Sequence, residues 1–199
     1  MTRILAKIQQ NLIVEAMFYF MIPATMIVQT AGGVGVVETK ISLDQPQIEI
    51  SSERAKKVKA LESFFDKYNS PLKSHAETFV EVAEKHDIDF KLLPAISCME
   101  SGCGKQLIPG SYNPFGWGIY GNNAIWFENY DQAIEVVGEG LNENYFARGL
   151  DTIDEIAPVY TPPNSANWRN GVSFFINQMD EVEIRELAKD TILASSLVK

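Results

Sequence analysis

Apolar residues recur along this chain at spacings of three and four, and that period constrains the fold more than any other feature. Val58, Leu61, Phe64 and Phe65 form one stripe, and Leu72, Ala76, Phe79, Val80 and Ala83 a second. Leu93, Ala95, Ile96 and Met99 follow, then Ala133, Ile134, Val137, Leu141 and Tyr145, and finally Trp168, Val172, Phe175, Met179 and Val182. A short segment with Ile153, Ile156 and Ala157 lies before the last. Such spacing puts each set on one face of a helix, so a mainly α domain is expected. The breaks agree with the stripes. Ser70 and Pro71 read as N-cap and first helical residue, Asp89 can cap the third helix, and Thr152 or Asp151 the short one. Pro94 lacks an N–H and predicts a late start or an early kink in the third helix. Between the third and fourth stripes, residues 105–130 lose the period, and Gly121-Asn122-Asn123 predicts the turn of a short β-hairpin.

The chain has 199 residues, enough for one well-packed domain and an appendage. The appendage is N-terminal. Arg3 and Lys7 precede an uncharged run, 16–37, long enough for a membrane span, and Thr30, Ala31, Gly32 and Gly33 suit a signal-peptide cleavage site. Residues 1–37 are therefore a signal peptide or a membrane anchor, with the domain exported and extracytoplasmic, secreted or anchored. Residues 38–51 read as a polar linker, 52–187 as the domain and 188–199 as a frayed tail. Net charge is −9, with no basic run beyond Arg54–Lys59, which argues against nucleic acid as a partner. His75, His86, Cys98 and Cys103 make no zinc ligand set. No metal or cofactor is expected, and both histidines read as surface residues.

One residue offends the patterning. Glu100 continues the third stripe, four residues after Ile96 and seven after Leu93. A carboxylate on an apolar face loses hydration, which favours its neutral form and raises its pKa, and the carbonyl end of a helix pushes the same way. A carboxyl protonated near neutral pH is what a general acid requires. On spacing alone, a structural Glu bonded to the following loop fits equally well. Just beyond it, Gly102 as the left-handed residue of a Schellman motif would bring Cys98 and Cys103 together, either as a disulfide or as two packed thiols. The loop that follows is aromatic. Trp117, Tyr120, Trp126 and Tyr130 offer flat surfaces suited to stacking on pyranose rings, whereas Phe115 and Phe127 suit a core.

The ordered set Leu93-Pro94-Ala95-Ile96, Glu100-Ser101-Gly102 and Gly104, and Asn113-Pro114-Phe115-Gly116 carries a resemblance. Phe127-Glu128-Asn129-Tyr130 ahead of Ala133-Ile134 extends it, as does Ile156-Ala157-Pro158-Val159-Tyr160 before the final helix. Over about residues 52–180 the chain resembles the lysozyme-like superfamily of peptidoglycan-cleaving enzymes. It is most similar to exported endo-β-N-acetylglucosaminidase domains of bacterial autolysins and flagellar hydrolases. The resemblance implies a lysozyme-like helical fold with one short hairpin, peptidoglycan glycan strands as partner, and Glu100 as catalytic acid. It also implies Tyr160 and Tyr130 as cleft residues touching substrate or water, and Asn113 and Phe115 as further substrate-binding positions. One departure matters. The family's longer hairpin carries a second acid, but here the interval from Trp117 to Trp126 holds no Asp or Glu. Glu128 is the nearest candidate, with Asp131 as easily a helix cap. A single acid remains workable if the substrate's N-acetyl group or its 6-hydroxyl attacks, the latter being the lytic transglycosylase route. The longer transglycosylase consensus, with its Gly-Leu-Met-Gln segment, is missing. Beside the glucosaminidase reading stand transglycosylase, muramidase, and a catalytically inactive wall-binding module.

Overall fold

The computed structural model describes residues 45–118 and 125–197. Among them are six α-helices: α1 Gln45–Lys67, α2 Ala76–His86, α3 Leu92–Ser101, α4 Tyr130–Asn144, α5 Ile153–Tyr160 and α6 Ser165–Leu197. Two 3-10 turns, Pro71–His75 and Phe146–Arg148, lead into α2 and out of α4. The stripes read from the sequence form the core: Leu61, Phe64, Phe79, Ile96, Leu141 and Val172 are all fully buried. Residues 92–98 are buried on every side, as befits a helix enclosed by others. The long α6 packs against α1, α3 and α5, while α4 lies on α2. Lys67 bonds Gln178 and Lys59 bonds Asp190, so α1 and α6 run antiparallel. Glycines set two close approaches. A Cβ on Gly138 would lie 2.2 Å from Val82 Cγ1, and one on Gly171 only 2.1 Å from Met99 Sδ. A larger residue at Gly138 would press on the short, branched Val82 and push α4 from α2, and one at Gly171 would force the Met99 side chain aside.

Several expectations are corrected. Residues 45–51, expected as linker, are the first two turns of α1. Pro46 is tolerated there because an N–H in the first turn has no intrahelical partner anyway. Residues 188–197, expected as a frayed tail, continue α6, tied down where Lys59 reaches Asp190 at 2.7 Å and Lys189 reaches Glu186 at 2.7 Å. Pro94 falls in the first turn of α3, which starts late, at Leu92, as its missing N–H predicts, and it does not break the helix. Asp89 is not the cap; it accepts the Lys91 N–H, and Lys91 takes the N-cap position without a side-chain bond. No strand occurs among the described residues. The turn of the expected hairpin lies outside them, and its described flanks are instead pinned to the preceding loop, with Phe127 N–H donating to the Ser111 carbonyl. The proposed signal or anchor also lies outside the described residues, and among those described no helix is long and apolar enough to cross a membrane.

The Ser70 hydroxyl accepts the Leu72 N–H at 3.0 Å and donates to the Cys103 carbonyl at 2.7 Å; Pro71 opens the 3-10 turn and not the α-helix. Thr152, not Asp151, caps α5 through a reciprocal capping box with Glu155. Gly102 is left-handed with φ 60°, and its N–H bonds the Cys98 carbonyl at 3.0 Å. The bond from Gly102 to Cys98 is that of the αL motif and not the Schellman one, and the Cys103 N–H reaches the Ser97 carbonyl at 3.3 Å beside it. The two cysteines are joined nonetheless, in a Cys98–Cys103 disulfide. This bridge closes a short loop, worth about 2 kcal/mol by loop entropy. Reduction is expected to lower the denaturant midpoint accordingly, and an unchanged midpoint in excess reductant would refute a stabilising role.

Candidate active site

Two recesses meet at the C-terminal end of α3. The smaller, of about 110 Å³, is lined by Glu100, Ser101, Gln106, Leu107, Ile108, Ser111, Asn113 and Gly116. The larger, of about 570 Å³, is lined by Glu100, Phe115, Gly116, Trp117, Gly118, Ile125, Asn144, Tyr145, Arg148, Val159, Tyr160 and Thr161. Glu100 and Gly116 belong to both, so the carboxyl stands where one recess passes into the other. Among the described residues, Glu100 is the single carboxylate lining either of them. The larger is of a size common for small-molecule sites.

The floor is built by hydrogen bonds from α3. Ser101, buried directly after Glu100, places its hydroxyl 2.7 Å from the Pro114 carbonyl and 2.9 Å from that of Ser97, and accepts the Gly104 N–H. The loop carrying Gly116 is thereby fixed to the helix end. Asn113 continues this work: its Oδ1 accepts the Trp117 N–H at 3.0 Å, and its Nδ2 donates to the Trp117 and Ile125 carbonyls. Gly116 has φ 59°, and a Cβ there would lie 3.7 Å from Glu100 Oε2. A side chain at that position is strained by the backbone angle and leans over the acid.

Glu100 is exposed to the recesses and not buried, which corrects the expectation that the stripe would bury it. At the last turn of α3 the facing wall is the 113–117 loop, and the gap between them is open. Protein atoms still crowd its inner side. This loss of hydration pushes its pKa above the usual carboxylate range, and a hydrogen bond from Trp168 pulls only partly the other way. Trp168 Nε1–H donates to Glu100 Oε1 at 2.8 Å. Oε1 is thus engaged as an acceptor, and Oε2 is left on the side of Gly116. A proton on this carboxyl sits most favourably on Oε2, where it faces the recesses. The indole is 3% exposed and stacks on Tyr160 at 4.6 Å, an arrangement made by the elbow between α5 and α6. Tyr160 in turn neighbours Trp117 at 6.3 Å and Tyr145 at 6.0 Å. Burial, then the charge of Glu100 and the nearby Tyr145, raise the Tyr160 pKa strongly. Its hydroxyl stays protonated and points at the Phe115 carbonyl, 3.5 Å away. The arrangement therefore presents a carboxyl of raised pKa and an aromatic wall to a ligand lying across both recesses.

The residues expected from sequence divide three ways. Glu100, Trp117 and Tyr160 come together. Asn113 and Phe115 reach the same place but serve the scaffold: the Asn113 amide is spent internally, and Phe115 is 1% exposed with its ring against Phe79. Trp126 is 58% exposed and lies over Gly110, away from either lining. Tyr130 also lines neither recess, being packed between His75 and Tyr112. Glu128 is exposed ahead of α4 and lines neither. Tyr120 lies outside the described residues. Asn129, not Asp131, caps α4. Asp131 instead accepts Thr78 at 2.6 Å and His75 at 2.7 Å; burial pushes its pKa up, but these two bonds outweigh it and the net direction is down. His75 is thus half-buried and partnered, not a free surface residue. Trp168 and Arg148 were missed. A buried indole N–H needs an acceptor, and that was the available signal for Trp168. Among the described residues no cluster of His, Cys, Asp or Glu could hold a metal ion.

No protein-family model matches this chain, and no curated protein is significantly similar to it.

Proposed function

We propose that the chain is an exported, secreted or membrane-anchored glycan-strand hydrolase of the bacterial cell wall with a lysozyme-like domain. It would cleave β-1,4 bonds between amino sugars as an endo-β-N-acetylglucosaminidase. The observation that carries this reading is Glu100, a carboxyl of raised pKa at the junction of two recesses and beside an aromatic wall. A strand lying through both would pass its glycosidic oxygen over Oε2, which would protonate it as the bond breaks. Trp117 and Tyr160 would flank the sugar in the larger recess.

A two-carboxylate mechanism needs a partner roughly 5–9.5 Å away, yet among the described residues Glu100 is the single acid in both linings. That favours attack by a group of the substrate itself, either the N-acetyl oxygen or the 6-hydroxyl. It also keeps the transglycosylase and the inactive wall-binding module as second readings. Mass spectrometry of muropeptides released by the purified chain from peptidoglycan decides among them. A reducing N-acetylglucosamine end supports the glucosaminidase, a reducing muramic acid end a muramidase, and a 1,6-anhydro end a transglycosylase. Pelleting with the wall without any released product would leave only the binding module. Glu128→Gln should change the rate by less than about threefold; a loss of a hundredfold, the scale of a lost acid–base group, would make Glu128 the missing partner.

A further inference from the structure

Among the described residues, the larger recess is lined by one cation, Arg148. It ends the 3-10 turn after α4, where Gly149 reverses the chain with φ 80°. Its Nη2 donates to Asn144 Oδ1 at 3.4 Å, and the Asn144 amide is itself anchored on the Gly140 carbonyl at 2.8 Å. Asn144 also lines the recess, so the guanidinium is steadied from the wall. Among the described residues Arg148 makes no ion pair with a carboxylate, whereas Arg54 pairs with Glu81 and Arg169 with Asp154. Acidic residues outnumber basic ones by 26 to 17 in this chain, so most cations have an acid within reach. A guanidinium without one, on the wall of the recess that begins at Glu100, has its fork of donors available to a ligand. That fork matches a carboxylate in a bidentate geometry that an ammonium does not reproduce.

We propose that the larger recess is an acid-reading subsite, in which Arg148 binds a carboxylate carried by the sugar next to the bond over Glu100. The inference rests on the glycan reading of the site and narrows it. The preferred strand is one whose alternate amino sugars bear a free acidic substituent, such as the lactyl carboxylate of muramic acid where no stem peptide is attached, and a neutral amino-sugar polymer of the same linkage is a poorer ligand. Recognition falls to the recess on one side of Glu100, so it also fixes which way along the strand the sugars alternate.

The test is binding by the full-length Glu100→Gln chain in detergent, measured calorimetrically with two tetrasaccharides. One is the neutral β-1,4 oligomer of N-acetylglucosamine; the other alternates N-acetylglucosamine with muramic acid bearing its free lactyl carboxylate. The acidic ligand should bind about tenfold more tightly, the scale of a solvent-accessible charged hydrogen bond. Arg148→Met on the same background should remove that advantage and leave the neutral ligand within about twofold. Arg148→Lys should restore only part of it. Equal affinity for the two ligands before Arg148 is changed overturns the proposal, as does a preference that survives Arg148→Met. Binding of neither ligand, together with no muropeptide released by the unmodified chain, overturns the glycan reading itself and the subsite with it.

Discussion

Replacing Glu100 with Gln is expected to lower muropeptide release by at least about a hundredfold, the usual contribution of a positioned general acid, while making the domain more stable at neutral pH. Both effects follow from one property. The carbonyl of Gln can accept the Trp168 N–H that Oε1 accepts now, so the side chain keeps its place and loses only the transferable proton. The stability effect has a definite sign. Loss of hydration around Glu100 outweighs the Trp168 bond and holds its folded-state pKa above the unfolded value. A group shifted upwards contributes stability that is fully present below the unfolded pKa and is lost as pH rises through the folded one. At about pH 8 the wild type carries an ionised, crowded carboxylate and the Gln variant does not, so the variant should melt at the higher temperature. The difference should narrow toward about pH 4, near the ordinary Glu pKa. A site that works against stability in this way is characteristic of function. A variant that retains activity within a few-fold, or that melts below wild type at every pH, would remove Glu100 from the proposed role.

The sequence was informative wherever burial and local backbone chemistry decide the outcome. Leu61, Phe64, Ile96 and Leu141 are buried as their period demands, and Ser70 and Thr152 cap as their types suggest, because a 3.6-residue period and a short polar side chain each have few ways to be satisfied. Gly102 beside paired cysteines was legible for the same reason. Misreadings occurred where a segment faces solvent on most sides. Residues 45–51 and 188–197 have no in-phase stripe, and Ile50, Ile192 and Leu193 are exposed although apolar; the later segment is tied to α1 where Lys59 reaches Asp190. Asn113 shows a different limit. A loop asparagine can turn outward to a ligand or inward to the chain, and only the positions of the Trp117 and Ile125 carbonyls decide. Glu100 combines both cases. Its register was read correctly, but its exposure depends on the gap between α3 and a loop with no period.

Trp168→Phe should then separate a residue that tunes the acid from one that merely fills the core. Phe retains a ring against Tyr160 but cannot donate to Oε1. The Trp168 bond lowers the Glu100 pKa, so its loss should raise that pKa further. A general acid is active only while protonated, so the alkaline limb of the kcat/KM profile should move to higher pH. The rate at the optimum should still fall by about 10–100-fold, because the carboxyl is no longer held on one oxygen and small displacements of a reacting group are costly. Stability should also drop, by about 2 kcal/mol, less than the 3–5 kcal/mol of a full Trp→Ala truncation, since the indole is 3% exposed. The control is Met179→Ala, a truncation at another buried position of α6. It should destabilise by a similar amount and leave the alkaline limb where it is. If both variants leave the limb unmoved, the Trp168 bond does not tune the acid and serves only to pack it. If the limb moves for Trp168→Phe alone, the hydrogen bond from α6 sets the pH range over which Glu100 can deliver its proton, and a residue read from sequence as core belongs to the chemistry of the site.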